Sequence, residues 1–335
     1  MSKVTFAVVG AGHIGKRHAQ KILENPQAEL LAIIDTNASL KESLEKNYSC
    51  LFFTSLEEFL NSTLSVDVVN ICTPNYLHCS QALKALEKSH VVIEKPMGLT
   101  TEECEAVIKK GKEKSKQVFC VMQNRYSPPS LLLKSLISEN KLGKIYHVQV
   151  NCFWNRDARY YFPNGDKHEW KGILKKDGGV LFTQFSHFVD TLYWLFGPLK
   201  TTGSQSKNFE HHNLDLPSDT GFFSFEIPSG GIGSFHYSTA VWDVNMESSI
   251  SIIGEKGSIK VAGQYMNDIV HCHIQNFHLP EIPPINPPND YGTYKGSAAN
   301  HQYVIENIVD VLLNKTEITT SAQDGLEVVR IINSL

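Results

Sequence analysis

The sequence predicts an α/β protein in which a doubly wound parallel sheet is followed by an α+β domain with a large, mostly antiparallel sheet. Three observations lead to this prediction. The first part of the 335-residue chain alternates short, continuously apolar runs with segments of helical period. The later part contains longer runs in which apolar and polar residues alternate. A glycine-rich turn joins the first apolar run to the first helical segment, as at the start of a βαβ unit.

The first predicted domain spans residues 1–122. Its six apolar runs have the length of buried strands: KVTFAVVG, ELLAIID, CLFFT, VDVVNICTP, HVVIEKP and QVFCVMQN. Helical segments such as NYLHCSQALKALEKS and TTEECEAVIKKGKEKSK lie between them. Strands that are apolar throughout are typical of a parallel sheet covered by helices on both faces.

The second predicted domain spans residues 123–335. We predict a helix in SPPSLLLKSLISEN and then alternating strands in KIYHVQVNCFW, TGFFSFEIPSGGIGSFHYSTAVW and SSISIIGEKGSIKVAG. The turns PSGG and GEKG predict hairpins. The clearest helix is GGVLFTQFSHFVDTLYWLFG, which we expect to end at Gly197-Pro198. Helices are expected to cover one face of this sheet and to leave the other face for a partner.

The C-terminal part begins with the proline-rich stretch FHLPEIPPINPPNDYGTYKG, which we predict to be an ordered surface loop. The segments ANHQYVIENIVDVLLN and SAQDGLEVVRIINSL are predicted closing helices. These helices are candidates for packing back on the first domain.

Composition argues against several classes of partner. The formal net charge of −4 gives no support for nucleic acid or an anionic membrane. No apolar run approaches the roughly 18 residues of a membrane span, and the first residues lack the pattern of a signal peptide. Seven scattered cysteines without a Cys-x-x-Cys pair are typical of buried thiols in a reducing compartment. We therefore expect a cytoplasmic protein with neither nucleic acid nor membrane as a partner.

The run VVGAGHIG places Gly10, Gly12 and Gly15 at the spacing of a dinucleotide-binding turn. Gly10 permits a tight turn, Gly12 lets the backbone approach a pyrophosphate, and Gly15 lets helix and strand pack closely. His13 and Ile14 lie in the same turn, at a helix N-terminus that offers N–H groups to phosphates. The structural alternative is a glycine-rich turn that binds no cofactor.

Asp35 follows the second predicted strand, about 20 residues after the last glycine. A carboxylate at this point is typical of a partner for the ribose 2′-hydroxyl group, and it repels a 2′-phosphate. No arginine follows immediately, so the pattern favours NAD over NADP. The sequence therefore predicts a Rossmann domain with NAD as its cofactor.

The fourth apolar run ends in Thr73, Pro74 and Asn75, at the edge of the sheet where ligands of parallel sheets bind. We expect these residues to line the cofactor cleft, with Asn75 or His78 touching the ribose or the nicotinamide. An alternative role for Asn75 is to cap the next helix.

Lys95 ends the next strand and precedes a proline. At this edge its charge would stabilise a developing alkoxide and hold the reacting hydroxyl group beside the nicotinamide. Glu94 is either its orienting partner or a solvated charge, and the plain alternative for Lys95 is a surface lysine on a turn. We assign Glu94, Lys95 and Asn124 to the cofactor-binding residues as well.

His187 is the candidate proton acceptor. On a helix it shares a face with Thr183, four residues before it, and Asp190, three residues after it. Histidine titrates near neutral pH, which suits a general base that removes a hydroxyl proton while hydride leaves the carbon. The alternative is a core histidine that is bonded to Asp190.

The motifs GAGHIG, TPNYLH, EKP, QNRY and GGVLFTQFSHFVD occur in the order found in the Gfo/Idh/MocA oxidoreductases, and the chain resembles that family over essentially its whole length. The resemblance implies that Lys95 and His187 act at the substrate carbon. Many members have an aspartate four residues before the histidine, where this chain has Thr183. This departure puts a third, acidic catalytic residue in question.

Within the family, VMQNRYSPP, VNCFWNRDARYY, HEWKGILKKDGG, QFSHFVDTLYWLFGP and SISIIGEKGSIKVAG are similar to a bacterial group that oxidises UDP-N-acetyl-2-amino-2-deoxyglucuronate (UDP-GlcNAcA) in surface-polysaccharide synthesis. The resemblance implies a UDP-sugar as the small-molecule substrate, NAD as the oxidant and a 3-keto product. Cations suit the diphosphate or carboxylate, and aromatic rings suit uracil or the sugar. The candidate substrate-binding residues are Lys95, Arg125, Arg156, Tyr160, Trp170, Lys171, Thr183, His187 and His301.

Two other interpretations stay open. A dehydrogenase for UDP-GlcNAc, a glucose-type sugar or myo-inositol would use the same mechanism, and an NAD-binding sensor or scaffold would keep the fold without the chemistry. We expect no metal, because His271 and His273 share one strand face but no third ligand lies at an obvious spacing. The open face of the second sheet predicts a homodimer or homotetramer.

Overall fold

The chain forms two compact units in a computed structural model that describes residues 3–290 and 295–335. The first unit consists of Met1–Met122 and His301–Val329, and the second consists of Gln123–Asn300 and Arg330–Leu335. The first unit thus combines residues from both sides of the domain boundary that we predicted at residue 122, because His301–Val329 packs with the N-terminal residues.

The first unit is built on a six-stranded parallel sheet. Its strands are β1 (Val4–Val9), β2 (Ala28–Ile34), β3 (Leu51–Phe53), β4 (Val68–Ile71), β5 (His90–Ile93) and β6 (Val118–Cys120). The helices between them are α1 (His13–Glu24), α2 (Lys41–Tyr48), α3 (Leu56–Asn61), α4 (His78–Ala85) and α5 (Thr101–Glu113). All of β4 and most of β5 are buried, which explains why these runs are apolar without alternation.

The strand order β3-β2-β1-β4-β5-β6 changes direction between β1 and β4. In open parallel sheets, ligands bind outside the carboxyl ends of the strands at such a point. The segments that leave the sheet at this edge start at Gly10 after β1, Cys72 after β4 and Glu94 after β5. The topology therefore brings the glycine turn, which starts at Gly10, and the segment that carries Lys95 to the same edge of the sheet.

The second unit contains a seven-stranded sheet and a two-stranded sheet. Its elements are α6 (Pro128–Ser138), β7 (Ile145–Phe153), α7 (Ala158–Tyr161), α8 (Leu174–Asp177), the π-helical segment Leu181–Phe185, α9 (Ser186–Phe196), β8 (Lys200–Lys207), β9 (Thr220–Glu226), β10 (Ile232–Ser238), β11 (Glu247–Gly254), β12 (Gly257–Ala262), β13 (Asp268–Ile274), β14 (Pro288–Asp290) and β15 (Lys295–Ala298). The large sheet has the order β13-β12-β11-β7-β10-β9-β8, with a parallel pair only between β7 and β10. The predicted fold class is confirmed, including the hairpins β9–β10 and β11–β12.

The large sheet has one covered face. Phe223 and Phe235 stack on neighbouring strands of this face, with ring centroids 5.0 Å apart, and neither is exposed. Phe185, next to α9, lies 5.9 Å from the Tyr237 ring, so the helical layer packs here. On the opposite face, aromatic side chains such as Phe222 are 40% exposed. This alternation is the period-2 pattern that predicted the strands.

The C-terminal helices are α10 (His301–Leu312) and α11 (Ala322–Asn333). Helix α10 packs against α1 within the first unit. Between the two helices, Thr320 exchanges two hydrogen bonds with Cys120, from Cys120 N to the Thr320 carbonyl (3.1 Å) and from Thr320 Oγ1 to the Cys120 carbonyl (2.5 Å). These bonds attach the C-terminal segment to the edge of the parallel sheet at β6.

Three smaller expectations concern cysteines, membranes and the proline-rich stretch. All seven cysteines are free thiols, and four of them are buried. No helix within residues 3–290 and 295–335 is long and apolar enough to cross a membrane. The stretch 277–296 contributes β14 and β15, and its residues 291–294 lie outside the described part of the chain.

We predict that Phe235→Ala strongly destabilises the second unit. The change removes a fully buried ring that stacks on Phe223, and such truncations cost about 3–5 kcal/mol. Thermal unfolding followed by circular dichroism measures the effect. Phe222→Ala is the matched control, because its ring is 40% exposed and its loss should cost about 1 kcal/mol or less. Equal midpoints for the two variants would contradict the assignment of the covered face.

Candidate active site

The glycine turn between β1 and α1 has the form of a phosphate-binding turn. Gly10 has a φ of +92°, and a Cβ there would lie 2.7 Å from the Cys72 carbonyl oxygen. A Cβ at Gly15 would lie 1.7 Å from the Gly10 carbonyl oxygen, so packing requires both glycines. A Cβ at Gly12 would meet nothing within 4 Å. Helix α1 then begins at His13 without a side-chain cap, as a phosphate-binding helix start requires.

Asp35 follows β2 and is held against the glycine turn. Its Oδ2 accepts a hydrogen bond from Ala11 N (2.7 Å), and its Oδ1 accepts one from Asn37 N (2.9 Å). The side chain remains partly exposed. The carboxylate is therefore fixed beside the turn, where dinucleotide-binding domains hold a ribose. The predicted glycines, His13, Ile14 and Asp35 come together in this part of the first unit.

The segment after β4 contains the next predicted cofactor residues. Thr73 Oγ1 donates a hydrogen bond to Gln81 Oε1 (2.6 Å). Pro74 precedes a single 3₁₀ turn that starts at Asn75, whereas α4 starts at His78. The turn thus runs directly into α4, and the contact of Asn75 with the cofactor stays a prediction.

His78 connects this segment to the segment after β5. Its Nδ1 lies 2.7 Å from the Pro96 carbonyl oxygen, its Nε2 lies 2.7 Å from the Thr73 carbonyl oxygen, and the residue is 1% exposed. Burial lowers the pKa of His78, although both carbonyl contacts favour the charged ring. A contact between this ring and the ribose or nicotinamide would have to replace one of these bonds.

Lys95 leaves β5 beside a buried carboxylate. Glu94 is 5% exposed, and its Oε2 accepts a hydrogen bond from the backbone N–H of Lys95 (3.1 Å). The side chain of Lys95 is partly exposed, and the peptide bond between Lys95 and Pro96 is cis. Glu94 is thus a bonded neighbour of the lysine and not the solvated charge of the alternative interpretation.

Two histidines complete the environment of Glu94. His18 from α1 has its Nε2 2.9 Å from Glu94 Oε1, and His301 from α10 has its Nε2 3.6 Å from the same oxygen. Both histidines are 1% exposed. Burial alone raises the pKa of Glu94, but the two histidines more than offset it, so its pKa lies well below the ordinary value.

His301 is the residue that we expected in the substrate pocket. The structure buries it in the first unit beside the carboxylate of Glu94, and burial lowers its pKa. Its contact with the substrate stays a prediction. His18 was not predicted at all. Its only local signal is its position in GKRHAQ, on the helix that follows the glycine turn.

His18, Glu94 and His301 also satisfy a geometric condition for metal ligands, since one ligand atom of each lies within 4.8 Å of the others. The pair that we considered from the sequence, His271 and His273, lies exposed on β13. His271 Nε2 is 2.8 Å from Ser258 Oγ. The expectation that the protein holds no metal stays a prediction.

In the second unit, His187 is the second residue of α9 and is 2% exposed. Gln123 Nε2 lies 3.1 Å from His187 Nε2. Because an amide nitrogen can only donate, this contact fits an imidazole whose Nε2 is the acceptor. Asn124 follows in the same short turn. Within the described part of the chain, the buried side-chain oxygen of Asn124 has no hydrogen-bond partner, which suits the predicted cofactor contact.

Arg125 forms a buried ion pair with Asp190. Its Nε lies 2.9 Å from Asp190 Oδ2, its Nη2 lies 2.5 Å from Oδ1, and the two side chains are 2% and 0% exposed. The guanidinium group of Arg125 thus has a protein carboxylate as a partner, and its predicted contact with the substrate stays a prediction. The aspartate that we paired with His187 is the partner of Arg125.

Thr183 precedes the histidine in the π-helical segment Leu181–Phe185 and not in a continuous α-helix. Its Oγ1 donates a hydrogen bond to the Gly179 carbonyl oxygen (3.0 Å). Helix α9 then runs from Ser186 and stops at Phe196, before a Gly197 with φ of +82°, as expected. A π-helical turn changes the angular offset between side chains four apart, so the offset between Thr183 and His187 differs from that in a continuous α-helix.

A second group of predicted substrate residues surrounds Arg156, which is 2% exposed. Arg156 Nε donates to Gln184 Oε1 (2.6 Å), and Gln184 Nε2 donates to the Tyr160 hydroxyl (2.9 Å). The guanidinium carbon lies 4.7 Å from the centroid of the Trp154 ring and 5.5 Å from that of Tyr160. The structure thus brings Arg156 and Tyr160 together in a cation–π cluster.

Lys171 joins this cluster, with its Nζ 4.1 Å from the centroid of the Tyr160 ring. Burial, together with the nearby charge of Arg156, lowers the pKa of Lys171 to about 8. Trp170 is half-buried and packs edge-to-face against His168, with ring centroids 5.6 Å apart. These two cations and their aromatic neighbours form a site with the chemistry to attract an anion.

His211 and Asp219 are a pair that sequence reasoning missed, since we took His211 for a solvated loop residue. His211 is 5% exposed, its Nδ1 lies 3.0 Å from Asp219 Oδ2, and its Nε2 lies 2.5 Å from the Arg156 carbonyl oxygen. Burial lowers the pKa of His211, but its partners outweigh that effect, and the net pKa is raised. A charged His211 therefore anchors the backbone of Arg156.

Asp177 is a second buried residue that the sequence did not indicate. Its Oδ2 accepts a hydrogen bond from Gly172 N (2.6 Å), and its Oδ1 accepts one from Gly179 N (2.8 Å). Burial raises the pKa of Asp177 to about 6. The carboxyl group connects the segment that carries Lys171 to the one that carries Thr183.

Both parts of the chain match oxidoreductase profiles. Residues 4–122 match the Gfo/Idh/MocA oxidoreductase family, NAD-binding Rossmann fold, and residues 134–335 match the C-terminal alpha/beta domain of that oxidoreductase family. Together the two profiles span most of the chain. The turn around Gly12 and the uncapped start of α1 fit the NAD that the first profile describes.

Three known proteins show the range of similarity. The WlbA dehydrogenase from Bordetella pertussis, solved with NADH and UDP-GlcNAcA, is 30% identical with a TM-score of 0.85, covering 99% of this chain and 95% of that one. The WlbA dehydrogenase from Chromobacterium violaceum was solved with the same two ligands. It is 30% identical to this chain with a TM-score of 0.89, and the match covers 99% of this chain and 92% of the dehydrogenase. The 2,7-anhydro-N-acetylneuraminate hydratase of Escherichia coli K12 is 28% identical over 265 residues, 77% of this chain and 67% of the relative.

We predict that Gly12→Ala weakens NAD binding at least about tenfold, equivalent to about 1.4 kcal/mol, without unfolding the protein. The added methyl group meets no protein atom within 4 Å but occupies the space where the backbone approaches the pyrophosphate. Isothermal titration calorimetry measures the affinity. Gly203→Ala in β8 is the matched control, because its Cβ makes only ordinary contact there. Unchanged NAD affinity in Gly12→Ala would remove the turn from the cofactor site.

We predict that His211→Gln destabilises the protein more at pH 6 than at pH 9, by about 1–3 kcal/mol at the lower pH. The folded protein raises the pKa of His211 above 6.5, so the stabilisation is complete below that value and is lost as the pH rises through the raised pKa. Thermal unfolding at both pH values measures this difference. The exposed neighbour provides the control His212→Gln. The same pH dependence in both variants would contradict a charged pair with Asp219.

Proposed function

The chain belongs to the Gfo/Idh/MocA oxidoreductase family, and we propose that it oxidises the C3 hydroxyl group of UDP-GlcNAcA to the 3-keto sugar in the synthesis of a surface-polysaccharide sugar. It is an NAD-dependent oxidoreductase that acts on a CH–OH group of a sugar. The observation that carries the narrower proposal is the similarity, over 99% of the chain, to two dehydrogenases solved with NADH and UDP-GlcNAcA.

The proposed reaction removes hydride from C3 and a proton from its hydroxyl group, so that a C–O single bond becomes C=O. NAD, when bound, accepts the hydride. Lys95 holds the reacting oxygen and stabilises the negative charge that develops on it. The position of Lys95 at the carboxyl end of β5, beside the edge that carries the glycine turn, supports this role.

His187 receives the hydroxyl proton in the proposed reaction. A general base must be unprotonated at one ring nitrogen, and the contact of 3.1 Å between Gln123 Nε2 and His187 Nε2 supports that state. Thr183 stays a proposed substrate contact, and Asn124 stays a proposed cofactor contact.

Arg156, Tyr160, Trp170 and Lys171 are the proposed contacts to the charged part of the sugar nucleotide. Burial and Arg156 lower the pKa of Lys171 to about 8. A bound phosphate or carboxylate would offset the nearby positive charge and further favour the charged form of this lysine. The aromatic rings around the two cations exclude water from such contacts.

A dehydrogenase for an uncharged sugar or a cyclitol is the second candidate. The ion pair between Arg125 and Asp190 favours it, because that pair removes one of the cations that we expected to meet a diphosphate or carboxylate. The mechanism at Lys95 and His187 would be the same. An NAD-binding sensor or scaffold without turnover is the third outcome that an assay distinguishes.

We also propose a cytoplasmic location and a homodimer or homotetramer. The open face of the seven-stranded sheet carries partly exposed apolar side chains, including Phe222, Ile232 and Ile253. A face of this kind supports association through the second unit.

We predict that NADH absorbance at 340 nm rises when the purified protein and NAD are mixed with UDP-GlcNAcA, and that it does not rise with UDP-GlcNAc or myo-inositol. The added carboxylate of the uronate would meet the cations of the second unit. Mass spectrometry of the product identifies the 3-keto sugar. A rise with another substrate only would transfer the specificity to that substrate, and no rise with any substrate would favour the sensor.

We predict that Lys95→Ala lowers turnover at least about a thousandfold while NAD still binds, because the variant loses the charge that stabilises the alkoxide. Activity with the sugar that the wild type oxidises and calorimetry with NAD measure the two effects separately. Lys88→Ala, at an exposed lysine before β5, is the matched control. Full activity of Lys95→Ala would exclude the proposed mechanism.

A further inference from the structure

We propose that His301 and His18 are positioning residues for Lys95, acting through the buried carboxylate of Glu94. The inference rests on the proposed function in one respect, since it takes Lys95 as the residue that acts on the substrate. It assigns a role to a histidine of α10, in the surroundings of a lysine that follows β5 of the first unit.

The carboxylate of Glu94 has its two oxygens directed to different neighbours. Oε2 accepts a hydrogen bond from the backbone N–H of Lys95 (3.1 Å). Oε1 lies 2.9 Å from His18 Nε2 and 3.6 Å from His301 Nε2. The carboxylate therefore connects the backbone of the lysine with two helices, α1 and α10.

Burial makes this connection rigid. Glu94 is 5% exposed and both histidines are 1% exposed, so water does not compete for these contacts. A buried carboxylate must be surrounded by donors, and removing one donor leaves a charge that the interior cannot solvate. The side chain of Glu94 would then reorient toward its other donors. This movement would change the hydrogen bond that Glu94 Oε2 accepts from the Lys95 N–H, and with it the position of Lys95.

The other side of the lysine segment is fixed independently. His78 Nδ1 lies 2.7 Å from the carbonyl oxygen of Pro96, the residue after Lys95. His18 is fixed too, because its Nδ1 lies 2.9 Å from Asn70 Nδ2 on β4. His301 is the more distant neighbour of the carboxylate: its Nε2 lies 3.6 Å from Glu94 Oε1, and its ring nitrogens make no closer hydrogen bond within the described residues. A substitution there therefore alters the surroundings of the carboxylate while the contact between His18 and Glu94 stays in place.

A metal ion is the competing explanation for the same three side chains. Their ligand atoms lie within 4.8 Å of one another, which a bound ion would permit. Against this, His18 Nε2 already bonds to Glu94 Oε1, and the positive charge of Arg17 acts on the same histidine cluster. A dication would add charge to a buried region that holds one carboxylate among the three side chains. We therefore favour a cluster of protein groups without a metal ion, and metal analysis decides between the two.

The kinetic test uses His301→Ala and His301→Gln, assayed with NAD and the sugar that the wild-type protein oxidises. If His301 positions Lys95, His301→Ala lowers kcat about 10- to 100-fold while KM for NAD changes less than about threefold. Gln can donate a hydrogen bond to Glu94, so His301→Gln restores kcat to within about threefold of the wild type. Val304→Ala, one turn along α10 and equally buried, is the matched control that lowers the unfolding temperature without changing kcat. A fall in kcat that is equal in His301→Ala and Val304→Ala would overturn the proposal.

A spectroscopic test does not depend on the substrate. Reductive methylation with ¹³C-formaldehyde labels the lysines, and Lys95→Arg identifies the Lys95 signal in the NMR spectrum. We expect that signal to shift in Glu94→Gln and His301→Ala but not in Val304→Ala. If wild type oxidises none of the sugars, the proposed function fails while this test still decides the inference. An unchanged Lys95 signal in both variants, or one equivalent of metal bound by wild type and absent from His301→Ala, would overturn it.

Discussion

The packing of the first unit depends on how its core accommodates the buried carboxylate of Glu94. Glu94 ends a buried strand, where a carboxylate is costly unless donors surround it. His18 supplies one donor and the Lys95 backbone supplies another. Because His18 belongs to α1, the helix that starts at the glycine turn is connected to the strand end that carries the lysine. The proposed catalytic group and the phosphate-binding turn therefore share an anchor, and neither can shift without disturbing the same carboxylate.

The second unit accommodates buried charge in two different ways. Arg125 is paired with Asp190, so its charge is cancelled inside the protein. Arg156 is contacted by neutral groups, which include the Gln184 amide and the rings of Trp154 and Tyr160. The two arginines look equivalent in the sequence, yet Arg125 has a carboxylate among its neighbours, whereas Arg156 has an amide and aromatic rings among its own.

Sequence reasoning succeeded where neighbouring residues decide the structure. The spacing of the glycines, the hairpin turns and the stop at Gly197 are local, and each follows from the conformational freedom of glycine or from strand alternation. Sequence reasoning failed where the interaction partner of a residue lies far away in the sequence. Nothing near Arg125 indicates a carboxylate 65 positions later, and nothing in ANHQYV indicates that its histidine faces a strand end of the first unit. The π-helical segment before α9 was missed because a single changed turn leaves the apolar pattern almost unaltered.

The division of the first unit into Met1–Met122 and His301–Val329 has a consequence for synthesis on the ribosome. Chains emerge from the amino end, and N-terminal elements have the first opportunity to fold. All six parallel strands leave the exit tunnel before any of the second unit's sheet, yet α10 is translated only after that sheet is complete. Until α10 is synthesised, the surface of α1 that α10 covers in the folded protein stays exposed. The first unit therefore starts to form first but is completed last. A chain truncated before His301 would contain the parallel sheet without α10.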